Sequence, residues 1–322
     1  HEGKYPIYGA SGLIKYVDFY QREKPYIAVV KDGAGIGRVM KLPAYSSVIG
    51  TMQYIIPNEK VDINYLVYSM EYMNLAKYFS GATIPHIYFR DYQKEPLNLP
   101  EIKVQKKIGG ILSNIEKLIA FRNQELSKFD QLVKSRFIEL FGDPVSNDKF
   151  WNLAILQDVT SKIGSGATPK GGKSSYQKEG IPFIRSMNVH DGVFLSKDLA
   201  YLSDKQAKQL ENVIVKENDV LLNITGASVA RSCIVPKTVI PARVNQHVSI
   251  IRCIPKYLNP EFLNKLFLHH RYKNLLLSLG EAGGATRQAI TKSQLEKLQI
   301  ILPPLTLQNE FADFVQQVDK SK

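Results

Sequence analysis

The chain has 322 residues, 44% hydrophobic and 22% charged, with 42 lysines and arginines against 30 aspartates and glutamates, a formal charge of +12. Such a length allows two domains, and the basic excess points to a polyanionic partner, nucleic acid first. No uninterrupted apolar run approaches the roughly 20 residues of a membrane span and no signal peptide is recognisable, so a cytoplasmic protein with no membrane partner is expected.

The chain opens at His1 rather than Met, and further sequence is expected to precede it. The first aromatics, Tyr5, Tyr8, Tyr16, Phe19 and Tyr20, read as core or rim residues. Residues 25–48, PYIAVVKDGAGIGRVMKLPAYSSV, form an apolar strand followed by Gly33, Gly35 and Gly37. A glycine loop cradles a phosphate when a helix follows at once, because the helix N-terminus receives the anion. Here RVMKLPAYSSVIG follows, with Pro43 and no helical period. A strand connection is predicted instead, with the glycines permitting positive φ in a tight turn. The polar set of this region is Lys31, Asp32, Arg38, Ser46, Ser47, Thr51 and Gln53, then Thr83, His86 and Arg90.

Residues 103–141 carry apolar positions four and three apart: Val104, Ile108, Ile111, Ile115 and Leu118, then Leu126, Phe129, Leu132 or Val133, Phe137 and Leu140. Arg122 interrupts the stripe, and Gly142 and Pro144 stop it. About 38 residues of helix would be roughly 57 Å long, which suits a spacer seated along one partner helix better than a globular core. Asp143 and Asp148 fall in what reads as a linker.

A second domain is expected from Trp151. Its loop 164–175 holds Lys170 and Lys173 among small polar residues, a composition able to follow a phosphate backbone, although a surface loop explains any single lysine equally well. The strands IPFIRSMNV, DVLLNITGAS and VNQHVSII place Asn223, Thr225, Ser228, Arg231, Arg243, Asn245, Gln246 and His247 near strand ends. Asn, Gln and Arg read base edges with two hydrogen bonds at once. For His86 and His247 a hydrogen-bonded turn histidine is the plainer reading. Cys233 and Cys253 have no metal-binding spacing and read as reduced core residues, and no Cys/His cluster predicts a metal.

The chain is one module written twice. SGATIPHIYFRDYQKEPLNLPEIKVQKKIGGILSNIEKL, from Ser80, matches GGATRQAITKSQLEKLQIILPPLTLQNEFADFVQQVDK, from Gly283, at a constant spacing of 203 residues. The spacing aligns Gly81-Ala82-Thr83 with Gly284-Ala285-Thr286, Leu99-Pro100 with Leu302-Pro303, and Gln105 with Gln308. It also aligns Ile108, Ile111 and Ile115 with Phe311, Phe314 and Val318. YIAVVKDGAGIGRV resembles DVLLNITGASVARSCIV, with Gly35 paired to Gly226 and two of the three glycines lost. A second helix begins near Leu307, carries Phe311, Phe314, Val315 and Val318, and is the natural partner of the first. It reaches Lys322 after about four turns and is expected to continue.

With these motifs in place, the chain resembles a bacterial type I restriction–modification specificity subunit over nearly its whole length. GKYPIYGASG, VKDGAGIGRV and SGATIPHIYFRDYQKEPLNLP look like one class of target-recognition domain in that family. GSGATPK, IPFIRSMNV, DVLLNITGAS, VNQHVSII and the Gly283 repeat look like another, and ILPPLTLQNEF resembles the family's entry into a conserved helix, with Leu307 where Glu is commoner. The resemblance implies an α/β (α+β) protein: two pseudo-repeated target-recognition domains joined by long antiparallel coiled-coil helices. Their limits are 1–102 and 143–304, with helices 103–142 and 305–322.

Such a subunit reads a bipartite, asymmetric DNA site, one half per domain, and the helices set the unread gap. It is not an enzyme. Its partners are double-stranded DNA, two methyltransferase subunits and restriction subunits. S-adenosylmethionine, ATP and Mg are expected in those partners and no cofactor in this chain. The sequence agrees, with no NPPY-like tetrapeptide, Walker loop or nuclease motif. Candidate DNA contacts are Lys31, Arg38, Thr83, His86 and Arg90 in the first domain. In the second they are Lys170, Lys173, Arg185, Asn188, Asn223, Thr225, Ser228, Arg231, Arg243, Asn245, Gln246, His247 and Arg287. The alternatives are an S-adenosylmethionine- or nucleotide-binding enzyme using Gly33–Gly37, a coiled-coil adaptor, or the specificity fragment of a fused restriction system.

Overall fold

The computed structural model describes residues 3–81, 85–281 and 288–322. The chain divides into two units, His1–Glu125 and Leu126–Lys322, and the division falls inside one long helix. The first unit contains β1 (Tyr5–Gly9), β2 (Gly12–Val17), β3 (Tyr26–Val30), β4 (Val39–Leu42), β5 (Ser47–Val48) and β6 (Met52–Ile55). Helices α1 (Ile63–Tyr72) and α2 (Phe89–Tyr92) follow, then α3 (Ile102–Phe141), which continues into the second unit. The strands form two sheets, β2–β1–β5 and β4–β3–β6. β3 is buried on both faces. Its alternating side chains feed two clusters: Tyr26, Ala28 and Val30 face Val48 and Met52, whereas Ile27 and Val29 face Leu66, Val67 and Met70 of α1.

The second unit contains β7 (Leu153–Ile155), β8 (Thr160–Ser165), β9 (Ile181–Ile184), β10 (Val189–His190), β11 (Val193–Phe194), β12 (Ala200–Leu202) and α4 (Asp204–Lys208). It continues through β13 (Ile214–Val215), β14 (Val220–Asn223), β15 (Ser232–Ile234), β16 (Ala242–Val244) and β17 (Val248–Cys253). The last elements are α5 (Pro260–Leu268), α6 (His270–Glu281), α7 (Lys292–Glu296), β18 (Gln299–Ile301) and α8 (Leu305–Ser321). The main sheets run β12–β9–β16–β13 and β15–β14–β17–β8.

These orders show the module repeated. β4–β3–β6 matches β15–β14–β17, and β2–β1–β5 matches β12–β9–β16, down to the one parallel pairing in each (β1 with β5, β9 with β16). A bidentate ion pair from Arg252 to the buried Asp219, at 2.7 and 2.8 Å, fixes the start of β14. Cys233 and Cys253 are free and buried, and burial pushes both thiols up to about 12.

A buried glutamine locks each module. Gln105 Oε1 accepts from Asp62 N at 2.9 Å, and Gln105 Nε2 donates to the carbonyls of Lys60 and Pro100. Gln308 does the same with Asn259 N at 2.9 Å and the carbonyls of Tyr257 and Pro303. Asp62 and Asn259 are themselves the N-caps of α1 and α5. Each amide therefore joins α3 or α8 to the N-cap of α1 or α5, satisfying groups that would otherwise be buried unpaired.

The two halves of α3 differ in burial. In the second unit Val133, Phe137 and Phe141 pack with Phe311, Val315 and Val318 of α8. Ion pairs Arg136–Glu310 (2.7 Å) and Lys322–Asp130 (2.8 Å) show that the two helices run antiparallel there. In the first unit the continuing stripe at Ile111, Ile115 and Leu118 is exposed.

Candidate nucleic-acid interface

The glycine loop of the first unit is a hairpin tip between β3 and β4. Gly33 N donates to Pro85 O at 2.9 Å, Ile36 N to Gly33 O, Gly37 N to Val30 O, and Val30 N to Arg38 O. The second unit repeats this bond for bond. Gly226 N donates to Gln288 O at 2.9 Å, Val229 N to Gly226 O, Ala230 N to Asn223 O, and Asn223 N to Arg231 O. Gly33 and Gly226 both have positive φ, 87° and 73°, as do Gly37 and Ala230, 79° and 65°. The equivalent of Gly226 is therefore Gly33, not Gly35, which corresponds to Ser228. Arg38 and Arg231 occupy the same place. Both loops run directly into strands, so neither presents the helix N-terminus that a phosphate cradle requires.

Around the first loop, the short segment 85–87 closes beside Asp32 and Gly33, and the Asp32 carboxylate is paired with Nδ1 of His86. The His86 ring lies 4.0 Å from that of Tyr88, centroid to centroid, and the guanidinium of Arg90 sits 4.6 Å over Tyr88. The Arg90 side chain is 75% exposed, with Asp91 3.7 Å away. Arg38 Nη1 donates to Ala10 O at 2.8 Å. Asp32, His86, Tyr88 and Arg90 thus form one continuous surface cluster next to the hairpin tip.

In the second unit an open groove of about 460 Å³ lies over the loop, lined by Ser186, Met187, Thr225, Gly226, Ser228, Arg231 and His247. The Thr225 hydroxyl is bonded to His247 Nδ1, and His247 Nε2 lies 3.1 Å from Nε2 of the exposed Gln246. Gln246 Oε1 accepts from Thr168 in the glycine–serine loop. That loop docks through Gly166, whose N–H donates to Asn245 O at 3.1 Å and whose place a Cβ could not share with the carbonyl oxygen of Val244. Lys170 and Lys173 project from its exposed portion.

Four of the polar candidates are not at the surface. Asn188 is buried and holds Arg185 N, Leu195 O and Lys197 O. Asn223 is buried and donates to Ser186 O and Val189 O. Arg243 lies in β16, donates to Ala207 O and Ala242 O, and is shifted below the ordinary arginine pKa by burial. Asn245 accepts from His247 N at 3.0 Å. These side chains shape the loops but have no free face for a base. Arg185 is partly buried and bonds Asp198 O. Lys31 and Ser228 border the two loops, while Thr83 and Arg287 lie outside the described residues. The sequence reading did not include Tyr88 or Thr168, and it placed Asp32 only among the general polar residues. Asp32 and Thr168 have partners in distant segments, so nothing in their spacing marks them, whereas Tyr88 stands between His86 and Arg90 at alternate positions that the sequence does show.

The model of the type I restriction modification DNA specificity domain matches residues 1–129 and 149–322. The chain belongs to that family. Among its relatives, the type I restriction enzyme MjaVIII specificity subunit of Methanocaldococcus jannaschii is 23% identical across 99% of this chain and 80% of its own length. The MjaIX specificity subunit of the same organism is 22% identical across 81% of this chain and 63% of its own length. The chain thus spans 63–80% of these relatives. The fold matches the crystal structure of a type I restriction-modification S subunit from M. genitalium with TM-score 0.67 and 14% identity, covering 99% of this chain and 83% of that one. The two-module α/β architecture is therefore that of the specificity family. Among the described residues no helix is long and apolar enough to cross a membrane.

Proposed function

We propose that the chain is the DNA-specificity subunit of a type I restriction-modification complex, each module reading one half of a bipartite, asymmetric duplex site. The observation that carries this reading is the twice-built hairpin tip. Its backbone bonds are the same in both units and each copy ends on an arginine, Arg38 or Arg231, while the side chains around it differ. A constant scaffold with a variable surface suits two reading heads for two different half-sites. The charge of +12 favours the duplex backbone.

Catalysis in this reading belongs to partners. Two adenine-methyltransferase subunits and the restriction subunits carry methylation and cleavage, and S-adenosylmethionine, ATP and Mg bind there. The enzyme alternative loses its support where the loops enter β4 and β15 rather than helices. The test is duplex binding by the chain assembled with its methyltransferase subunits, over a series of salt concentrations. Log affinity is expected to fall linearly with log salt, at a slope of about −0.9 per phosphate contacted. An affinity indifferent to salt, or S-adenosylmethionine binding by this chain alone, would contradict the proposal.

A further inference from the structure

The two hairpin tips share a side-chain device that the chain builds by different routes. The residue before the loop glycine is Asp32 in one unit and Thr225 in the other, and each is bonded to Nδ1 of a histidine. The histidines are not counterparts in the repeat. His86 sits on the segment whose equivalent carries Ala289, since the Asp32–His86 bridge matches the Thr225–Ala289 bridge. His247 sits where the first unit has Thr51, since Lys31 N donates to Thr51 O as Ile224 N donates to His247 O. A histidine needed only to brace the common backbone would be inherited at one position. Here two positions converge on one pairing, and each ring then carries an exposed polar residue.

What the rings carry differs. The His86 ring packs on Tyr88, which in turn supports the Arg90 guanidinium. The His247 ring contacts the Gln246 amide, whose other end is held by Thr168. A guanidinium offers only donors, in a planar fork that matches the O6 and N7 acceptors of guanine. A carboxamide offers one donor and one acceptor together, the match for N6 and N7 of adenine, and one bond at each end of Gln246 leaves a second hydrogen and a second lone pair for the base.

Resting on the specificity reading above, we propose that Arg90 reads a guanine in the half-site of the first module and Gln246 reads an adenine in that of the second. His86 and His247 are the positioning residues, oriented by Asp32 and Thr225.

The test uses the full chain assembled with its adenine-methyltransferase subunits, with sequencing of the methylated adenines. Variants Arg90→Ala, Arg90→Lys, His86→Ala, Gln246→Ala and His247→Ala are compared with the unaltered chain. Arg90→Ala is expected to relax one G·C pair in one half, with discrimination there falling roughly tenfold to a hundredfold. Arg90→Lys keeps the charge without the fork and should relax the same pair. Gln246→Ala should relax one A·T pair in the other half only. Each histidine variant should loosen the same pair as its reader, whereas a merely structural histidine would weaken its whole half-site evenly. A bipartite motif unchanged by Arg90→Ala and Gln246→Ala, relaxation at a different base, or loss of an entire half-site would overturn this inference and leave the specificity reading standing. No bipartite motif from the unaltered chain would overturn both.

Discussion

Residues 33–38 and 226–231 form the same hairpin tip, sharing its opening Gly-Ala and closing arginine, while the residues packed around it differ. Backbone hydrogen bonds alone define it, and they tolerate Gly35 becoming Ser228 and Gly37 becoming Ala230. The two halves of α3 teach the opposite lesson. They share an apolar stripe, yet Phe137 is 2% exposed against α8 and Leu118 is 66% exposed. The hairpin holds its shape while the side chains around it change. The helix holds its pattern and varies in burial. A module with a fixed scaffold and a changeable tip suits recognition, and a stripe that continues past its covered portion marks a surface for packing.

The helix comparison gives the largest expected effect. Phe137→Ala should lower stability by about 3–5 kcal/mol, since it empties a cluster shared with Phe141, Phe262 and Phe311. Ile115→Ala in the exposed half should stay within about 0.5 kcal/mol. Urea unfolding of each variant checks both, and equal losses would erase the distinction between the halves.

The hairpin comparison comes next. Gly37→Ala puts a Cβ into the backbone of Ala76 at positive φ and should destabilise by about 2–4 kcal/mol. The matched Ala230→Gly removes the left-handed strain but also a buried methyl, and should change stability by less than about 1 kcal/mol. Thermal melts decide between these values.

Gln105→Ala and Gln308→Ala should each destabilise by about 1–3 kcal/mol, because each leaves a cap N–H and two carbonyls without their partner. Similar values for the two would sharpen the repeat, and a neutral result at either would break it. The smallest effect is expected at the shared arginines. Arg38→Ala and Arg231→Ala should each reduce the salt slope of DNA binding by about one and leave the motif intact, as befits phosphate contacts.

The long helix was legible because its apolar spacing has a helical period, and the structure starts it at Ile102, one residue earlier than the pattern did. The match of Gln105 with Gln308 was legible as letters, but their role depends on groups more than 40 residues away. Aligning glycines does not give the hairpin register, because Ala230 adopts positive φ without being a glycine. Asn188 and Asn223 looked like base readers because a sequence reports polarity and not burial. The Asp32–His86 and Thr225–His247 pairs were hidden for a further reason: the histidines occupy positions that do not correspond in the repeat, so no alignment of the two copies brings them together.

Two modules reading two half-sites must be separable. The most direct measurement is the motif methylated by the chain with its methyltransferase subunits, before and after residues 151–290 are exchanged for those of another specificity subunit. Independent reading predicts a bipartite motif with a fixed gap, in which the exchange rewrites one half and leaves the other and the gap unchanged. A contiguous motif, or an exchange that alters both halves, would contradict it.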